Sequence, residues 1–412
     1  MKIAVVVTQF PVVSSEVSVL NQITGLIDQG HEVDIFAERR GDIAGAHPQV
    51  EAYGLLARTT YREVPKNKIV RVVKAIGIIA AWIWRAPRAV FCSLNIFRYR
   101  MAAASLALLY SIPGLKQKRS FDIIHCQFGP NGIKGMFFRD SGLMTGRLIT
   151  QFRGSDLNVV PREQGPNVYK RLFQEGDLFL ALSEFLIGRA KALGCSDDKI
   201  RKLPLGVDIS EFPFSERQIG DGSEVRILTV GRLVEVKGVE YGIRAIAQLS
   251  RRFPNVRYQI VGAGPLLDSL KELVTQLQVE KHVEFLGLLS RERLSKVYGD
   301  AHLFLYTGIV AADGGEEGLG SVLVEAQASG LPVIASRVGG IPESVREGAS
   351  AVLVPQRDID AIAEQLCQLI EQPQRWAEMG RAGCDHVLAN FQNDDKVESL
   401  ISLYNELLSR ES

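Results

Sequence analysis

Two successive series of short apolar segments, each alternating with helical patterns, run through this chain of 412 residues. Most of these segments are hydrophobic throughout, which is typical of parallel strands covered by helices on both faces. Two such series predict an α/β protein with two doubly wound, Rossmann-like domains that face each other across a cleft. Because such sheets bind ligands outside the carboxyl ends of their strands, we expect the functional site in that cleft.

The apolar segments give the positions of the predicted strands. In the first series the predicted strands are residues 3–8, 33–37, 123–126, 148–152, 178–182 and 200–204. In the second series they are residues 226–230, 257–261, 283–286, 303–306, 332–335 and 351–354.

Composition sets the domain boundaries between the two series. A stretch rich in Gly, Ser and charge, residues 212–224, is predicted to be a linker. The first domain therefore spans residues 1–211 and the second spans residues 225–385. Apolar residues recur at helical spacing in residues 386–412, so we expect a C-terminal helix that packs back on the first domain.

Charge and cysteine content exclude several classes of protein. The net charge of +1 disfavours a general polyanion binder. The five cysteines are scattered, which fits a reducing compartment and argues against structural zinc. The first apolar run is too short for a signal peptide, so we expect a cytoplasmic protein.

A basic insertion lies within the first domain, at about residues 62–119. It holds twelve Lys and Arg and one acid, Glu63, so it carries +11 while the rest of the chain carries −10. Its apolar runs are shorter than the roughly 20 residues that span a bilayer. We predict peripheral contact with an anionic membrane, at the inner face of the plasma membrane. The alternative is a set of ordinary helices packed on the first sheet, and no nucleic-acid partner is expected.

The first motif with chemical content is VGRLVEVKG, residues 230–238, directly after a predicted strand. Gly231 permits a tight exit from the strand. Arg232 and Lys237 then place two cations at the carboxyl end of the sheet, an arrangement that suits a diphosphate. Solvated loop cations are the alternative interpretation.

The second motif is IVGAGPLLDSL, residues 260–270. Gly262 and Gly264 have the spacing of a dinucleotide-binding loop, but Leu267 replaces the third glycine and Pro265 follows the second. A Rossmann dehydrogenase is therefore disfavoured, and a tight strand-to-helix turn near a ligand remains.

The third motif is EEGLGSVLVEAQASGLPVIAS, residues 316–336, which is predicted to contain a helix over residues 321–329. Gly318 and Gly320 allow close approach of a ligand to the backbone, and the helix N-terminus suits a phosphate. Glu325 and Glu317 lie on either side of that phosphate position, where each carboxylate can accept hydrogen bonds from hydroxyl groups. The pattern fits a nucleotide sugar; a helix with surface carboxylates is the alternative.

Together, these motifs resemble the retaining, nucleotide-sugar-dependent glycosyltransferases of family 4, which have the GT-B fold. The resemblance covers essentially the whole chain, and the family's E-x7-E element corresponds to Glu317 and Glu325. FPVVSSEVSVLNQI, HCQFGPNG, TGIVAADGGEEG and the basic insertion are similar to bacterial exopolysaccharide transferases of the colanic-acid and amylovoran type.

The resemblance implies roles on the donor side. Arg232 and Lys237 would hold the diphosphate and stabilise the leaving group. Glu325 would bind the ribose, and Glu317 would contact hydroxyls of the transferred sugar. The base would lie near residues 285–288, which include Leu288. Backbone donors around the sugar and phosphate would come from Gly318, Leu319 and Gly320, while Gly231, Gly262 and Gly264 would line the donor site.

On the acceptor side, His125 in FDIIHCQFGP matches a family histidine near the acceptor and the transferred sugar. A satisfied histidine at a strand end is the alternative. The chain departs from the family pattern at Ser14 and Ser15, where a glycine pair is usual, and at Arg153, where a histidine is usual. Arg153 and Asp156 are candidates for placing an acceptor phosphate or hydroxyl.

No cofactor and no metal are expected beyond the nucleotide-sugar substrate, with a UDP-sugar favoured over a GDP-sugar. The one DxD-like string, residues 358–360, is predicted to cap a helix. The resemblance implies retention of anomeric configuration through front-face attack, with a glycan or lipid-linked glycan as acceptor. The alternatives are a GT-B-fold nucleotide-sugar epimerase and a non-catalytic nucleotide-sugar-binding protein.

Overall fold

A computed structural model describes residues 1–12, 17–43, 46–115, 119–220 and 223–410. The chain forms two compact units. The first comprises Met1–Leu182, Leu186–Leu203 and the residues from Lys396 onward, and the second comprises Ser183–Phe185 and Pro204–Asp395.

The described residues of the first unit form a parallel sheet of seven strands, in the order β3-β2-β1-β4-β5-β6-β7. Six of them overlap the predicted segments, and β3 was not predicted because it has only three half-buried residues. The strands are β1 Lys2–Phe10, β2 Glu32–Arg40, β3 Thr59–Tyr61, β4 Arg119–Gln127, β5 Met144–Phe152, β6 Leu178–Ala181 and β7 Ile200–Lys202.

Helices connect these strands, as parallel pairing requires. Four of them, α3 to α6, belong to the basic insertion. The helices that precede the second sheet are α1 Val17–Asp28, α2 Pro48–Ala52, α3 Lys68–Trp82, α4 Pro87–Ser93, α5 Ile96–Tyr99, α6 Met101–Ala104, α7 Gly129–Asp140, α8 Ser155–Asn158, α9 Val160–Gln164, α10 Lys170–Glu175 and α11 Glu184–Ala192.

The second unit also contains a parallel sheet, with six strands in the order β10-β9-β8-β11-β12-β13 among the described residues. Its strands are β8 Val225–Val230, β9 Val256–Val261, β10 Val283–Gly287, β11 Leu303–Tyr306, β12 Val333–Ser336 and β13 Ala351–Val354. Its helices are α12 Val239–Leu249, α13 Leu267–Gln276, α14 Arg291–Asp300, α15 Ser321–Ala328, α16 Ile359–Glu371 and α17 Gln374–Asn390. The two sheets agree with the predicted α/β class.

The last helix, α18 Asn393–Ser409, packs into the core of the first unit. Val397, Leu400, Tyr404 and Leu407 are buried there against β1 and α1. The Val397 methyl groups occupy the space where a side chain at Gly25 would lie, so α1 and α18 approach closely. The predicted return of the C-terminal helices to the first domain is therefore present in the structure.

The segment predicted as a linker, residues 212–224, belongs by its contacts to the second unit. Arg217 is buried and donates hydrogen bonds to the carbonyl oxygens of Tyr298 at 3.1 Å and Ser329 at 2.5 Å. Composition records the charge of Arg217 but not its burial, and it therefore suggested a solvated connection. The unit boundary lies at Leu203, before the predicted residue 211.

The insertion helices are short. The longest, α3, has 15 residues. Within the described ranges, no helix combines the length and the hydropathy that crossing a bilayer requires.

Candidate active site

Two loops meet at the carboxyl edge of the second sheet. Strand β8 lies between β9 and β11, so the sheet grows in opposite directions from the β8–β11 pair. Lys237 follows β8 and Glu317 follows β11. Open α/β sheets bind their ligands at this kind of switch point.

Gly238 fixes the position of Lys237. The short 3-10 helix Glu235–Lys237 ends at Gly238, which adopts a φ of 59°. A Cβ at this position would overlap with the Thr307 carbonyl oxygen, and the Thr307 hydroxyl donates to the Gly238 carbonyl at 2.8 Å. Only glycine allows this close approach, which holds the loop after β8 against the segment after β11.

Lys237, Tyr306 and Glu317 form a compact polar cluster at this position. Lys237 Nζ lies 2.5 Å from Glu317 Oε2 and donates to Tyr306 Oη at 2.8 Å. The Tyr306 hydroxyl also donates to Glu317 Oε2. The side chains of Lys237 and Glu317 are 16% and 17% exposed, so a ligand can reach a charged pair that is otherwise desolvated.

Charge sets the protonation of this cluster. Burial alone would raise the pKa of Glu317, but the charge of Lys237, the hydrogen bonds from Lys237 and Tyr306, and the charge of Arg232 lower it below the ordinary value. Burial, reinforced by Glu317, raises the pKa of Tyr306 well above its usual range. The cluster therefore holds a carboxylate beside a protonated phenol at neutral pH.

The N-terminus of α15 is directly downstream of Glu317. Gly320 precedes the helix with a φ of 94°, and no side chain caps the first turn. Gly318 and Leu319 are buried, and the Gly318 carbonyl accepts a hydrogen bond from Ser183 at 2.7 Å. An uncapped helix N-terminus provides amide donors and a positive dipole end for an anion.

Glu325 lies in the second turn of α15. Its Oε2 accepts a hydrogen bond from the Tyr298 hydroxyl at 2.9 Å. Burial raises the pKa of Glu325, while the positive charge of Arg291 and the bond from Tyr298 oppose that rise. Arg291 is itself paired with Glu211. Glu325 therefore belongs to a second, separately supported polar group.

Sequence reasoning missed the glycine pair that supports Glu317. A Cβ at Gly339 would overlap with the Glu317 carbonyl oxygen, and one at Gly340 would overlap with the Gly318 carbonyl oxygen. The Gly340 amide donates to the Glu317 carbonyl at 2.8 Å. The signal was present, since two consecutive glycines shortly after a buried strand indicate close backbone approach.

Gly262 and Gly264 support the other loop. The Gly231 amide donates to Val261 and the Leu233 amide donates to Ala263, at 3.0 and 2.9 Å. A Cβ at Gly262 would overlap with the Gly231 carbonyl oxygen, and one at Gly264 would overlap with that of Leu233. The contacts of these two glycines thus brace the loop that carries Arg232 and Lys237.

The two remaining residues that were predicted for the donor side are on the surface. Arg232 is exposed and has no salt bridge to any residue in the described ranges. Its charge nevertheless acts on Glu317. Leu288, directly after β10, is 74% exposed. Both side chains are therefore accessible to a ligand.

In the first unit, His125 lies on β4 beside β1, at the point where that sheet changes its direction of growth. It is buried, and its Nδ1 lies 2.6 Å from the Tyr404 hydroxyl of α18. Burial, followed by the charge of Arg153, lowers the pKa of His125 to about 3. The ring is therefore neutral near pH 7. Sequence reasoning placed Tyr404 only in an apolar stripe and missed this contact.

A polar network connects His125 to Arg153. Gln127 Nε2 lies 3.5 Å from His125 Nε2, and the Gln127 amide oxygen accepts from Arg153 Nε at 2.9 Å. Arg153 Nη1 donates to the Ser18 hydroxyl at 2.9 Å. The structure thus brings His125 and Arg153 into one polar network.

Asp156 holds two turns of the first unit together. Its buried carboxylate accepts hydrogen bonds from the amides of Gly129, Arg153 and Gly154, at 3.0, 3.1 and 2.8 Å. These bonds give Asp156 a structural role, because they hold the turn that carries Arg153. Ser14 and Ser15 lie outside the described residues.

Comparisons with known proteins identify the family. A family model described as "Glycosyltransferase Family 4" matches residues 15–211, and one described as "Glycosyl transferases group 1" matches residues 213–385. WcaL of Salmonella typhimurium, assigned to colanic acid biosynthesis as a glycosyltransferase, is 35% identical over 377 residues, which cover 89% of this chain and 90% of WcaL.

The chain belongs to the family 4 glycosyltransferases. The amylovoran biosynthesis glycosyltransferase AmsK of Erwinia amylovora is 32% identical to this glycosyltransferase over 90% of each chain.

A solved structure, Anabaena Alr3699/HepE in complex with UDP and glucose, superimposes with a TM-score of 0.73 over 98% of this chain and 99% of that one. Its sequence identity is 17%, so it bears on the fold alone. The fold of this glycosyltransferase is therefore GT-B.

The DxD-like string of this glycosyltransferase caps a helix, as predicted. Asp358 precedes α16, and its carboxylate accepts from the Ala361 amide at 2.9 Å. In the part of the chain that the structure describes, no group of three or more His, Cys, Asp or Glu side chains is arranged to hold a metal ion.

Proposed function

We propose that this glycosyltransferase transfers a hexose, with retention of configuration, from a nucleotide sugar to a glycan or lipid-linked glycan in exopolysaccharide biosynthesis. The relatives assigned to colanic acid and amylovoran biosynthesis support the pathway class. The main observation in support of a donor site here is the Lys237–Tyr306–Glu317 cluster beside the uncapped N-terminus of α15. We take a UDP-sugar as the donor, in preference to a GDP-sugar.

The diphosphate is bound by Arg232, Lys237 and the first amides of α15. Arg232 has no salt bridge within the described ranges, so its charge is available for a phosphate. Lys237 is held next to the helix N-terminus through Glu317. These preorganised groups stabilise the charge that develops on the leaving diphosphate, and one such donor typically contributes about 3–4 kcal/mol. With this charge supplied by the chain, we propose that no metal is required.

The two glutamates bind hydroxyl groups at opposite ends of the donor. Glu317 Oε2 is engaged by Lys237 and Tyr306, and within the described residues Oε1 accepts no hydrogen bond. That free oxygen accepts from hydroxyls of the transferred sugar. Glu325, with Oε2 held by Tyr298, accepts from the ribose.

Transfer breaks the bond between the anomeric carbon and the diphosphate oxygen. The acceptor hydroxyl forms the new bond on the same face, and its proton passes to the departing phosphate oxygen. The first unit contributes His125 and Arg153, whose network we assign to the acceptor side. Residues 62–119 bring the enzyme into peripheral contact with an anionic membrane, where a lipid-linked acceptor is located.

Donor binding is tested by thermal shift with UDP, GDP and their sugars, because a ligand that binds only the folded state raises the melting temperature. We expect the largest shift with a UDP-sugar, unchanged by EDTA. Lys237→Ala should lose the shift, while Lys271→Ala, an exposed lysine of α13, should retain it.

Transfer is tested with radiolabelled donor and a membrane-lipid fraction. Glu317→Gln keeps the size of the side chain and removes its charge, so we expect a loss of about 10²-fold or more in transfer. Full transfer by Glu317→Gln and Lys237→Ala would refute the site. Free, epimerised sugar nucleotide without transfer would indicate an epimerase instead.

A further inference from the structure

The basic insertion exposes an unusual amount of apolar surface. Sixteen large apolar side chains are exposed in the described part of the chain, and eleven of them lie between residues 69 and 101. Trp84 is 89% exposed and Phe97 is 91% exposed. Exposed apolar side chains concentrated in one segment in this way indicate an interaction site.

Helix α3 presents its apolar face to solvent. Ile69, Val72, Val73 and Ile76 recur at intervals of three and four residues and are all exposed, whereas Ala75 is the buried residue of this helix. This spacing places the four side chains on one face. A helix of a globular protein normally turns that face toward the core.

Cations accompany this apolar face without nearby acids in the sequence. No Asp or Glu occurs between Glu63 and Asp122. Lys74, Arg85 and Arg100 have no salt bridge to any residue in the described ranges. The surface thus combines apolar side chains with uncompensated positive charge, which fits an anionic bilayer.

A pocket of about 260 Å³ opens beside this surface, between the α5–α6 junction, α7 and α10. Four cations line it, namely Arg98, Arg100, Lys170 and Arg171, and no acid does. Arg98 is neutralised by Asp140 and Glu175, at 2.7 and 2.5 Å, and Arg171 lies 3.8 Å from Glu175. Arg100 and Lys170 remain unpaired within the described ranges.

Two further features connect the pocket to the apolar surface. Phe97, almost fully exposed, lines the pocket and forms its rim, and Met101 follows Arg100 with 60% exposure. Arg100 adopts a φ of 47°, a conformation that side-chain-bearing residues rarely hold unless the surroundings impose it. The backbone thus holds a cation at the junction of pocket and apolar surface.

We propose that this pocket binds the phosphate of an anionic membrane lipid while Phe97 and the exposed face of α3 insert among the acyl chains. The pocket has room for several water molecules of about 30 Å³ each, and hence for a hydrated phosphate. A second copy of the chain is a poorer occupant, because a symmetric contact would bring the same cations against each other. The inference rests on the membrane contact in the proposed function and adds a defined headgroup site.

The test is flotation of the full chain with vesicles of phosphatidylglycerol and phosphatidylcholine. We expect binding to mixed vesicles and none to pure phosphatidylcholine. Reversing one cation near a membrane surface costs up to about 25-fold through diffuse attraction alone, because each unit of charge accounts for about fivefold. Lys170→Glu, in the pocket, should weaken binding by more than this, since it also removes a direct contact with the phosphate. Lys74→Glu makes the same charge change on the insertion outside the pocket and should weaken binding by no more than the diffuse amount. Lys271→Glu should have no effect.

An equal loss in Lys170→Glu and Lys74→Glu would overturn the pocket, because diffuse attraction would then explain the binding. Equal binding to both vesicle types would overturn the proposal of an anionic lipid ligand. If inorganic phosphate alone raises the melting temperature, and Lys170→Glu removes that rise but leaves flotation unchanged, the pocket binds a free anion. If Phe97→Ser dissociates a dimer by light scattering and leaves flotation unchanged, the apolar rim belongs to a second copy. Flotation requires no donor, so its failure is distinguishable from failure of the UDP-sugar thermal shift.

Discussion

Lys237 and Glu317 are 80 residues apart in the chain, yet Lys237 Nζ lies 2.5 Å from Glu317 Oε2. The pair joins the loop after β8 to the loop after β11, and Tyr306 bonds to both partners. Neither charge of a largely desolvated pair is stable alone. The proposed donor site is therefore a single electrostatic unit rather than two separate motifs.

Tyr306→Phe tests this unit by removing only a hydroxyl. We expect kcat/KM to fall, because a hydrogen bond to a charged group contributes about 1.5–3 kcal/mol. Since the Tyr306 bond lowers the pKa of Glu317, the acidic limb of the pH–rate profile should move to higher pH. Tyr258→Phe removes a buried hydroxyl that bonds to Thr229 in the same sheet. It should lower stability without moving that limb; an unmoved limb in Tyr306→Phe would contradict the coupling.

Gly340→Ala tests the backbone contact behind Glu317. The new methyl group would overlap with the Gly318 carbonyl oxygen, so we expect a loss of about 3 kcal/mol in the free energy of unfolding, together with weaker donor binding. Gly299→Ala, in α14, has open space around it and should be neutral or slightly stabilising. Urea unfolding of both variants measures the difference. Equal midpoints would show that the Gly339–Gly340 turn is not required.

Glu38 gives the first unit a predictable acid sensitivity. Burial alone would raise its pKa, but Lys134 and Arg62, the latter at 2.8 Å, lower it to about 2 from an ordinary 4.5. Its stabilising contribution is present above pH 4.5 and is lost as pH falls toward 2. We expect Glu38→Gln to cost about 3 kcal/mol at pH 7, with the difference from wild type narrowing below pH 4.5. Glu398→Gln, an exposed acid of α18, should cost little at any pH.

Tyr404→Phe tests the link between α18 and the His125 network that we assign to the acceptor side. Loss of the hydroxyl leaves His125 Nδ1 buried without its partner, which should cost about 1–3 kcal/mol in stability. With a pKa of about 3, His125 stays neutral, so activity should not titrate through this residue between pH 5 and 8. Transfer assays across that range measure it; a titration that Tyr404→Phe abolishes would contradict a neutral His125.

The sequence predicted most of the sheet framework. Buried parallel strands are apolar along their length, so segments such as β11 and β13 were predicted with the bounds that the structure has. The three-residue strand β3 has no such pattern. The buried Arg217 explains the misplaced linker, because a charge that bonds to backbone carbonyls looks solvated in a composition profile.

The site was only partly predictable for a different reason. Charged residues near glycines after a strand indicated Lys237 and Glu317 individually. Their direct pairing, and the bridging hydroxyl of Tyr306, depend on how two loops meet in space. Tyr404 reaches His125 from a residue 279 positions away. Periodicity identifies the face of a helix, but it does not identify which polar atom on that face meets a distant partner.

The position of α18 also constrains how the protein is made. The ribosome synthesises the strands of the first unit early, but Val397, Leu400 and Tyr404 complete that unit's core only after every residue of the second sheet has been translated. Until then, the apolar face that α18 covers is exposed in the nascent first unit, and His125 lacks its partner Tyr404. That core is therefore complete only once α18 has left the exit tunnel.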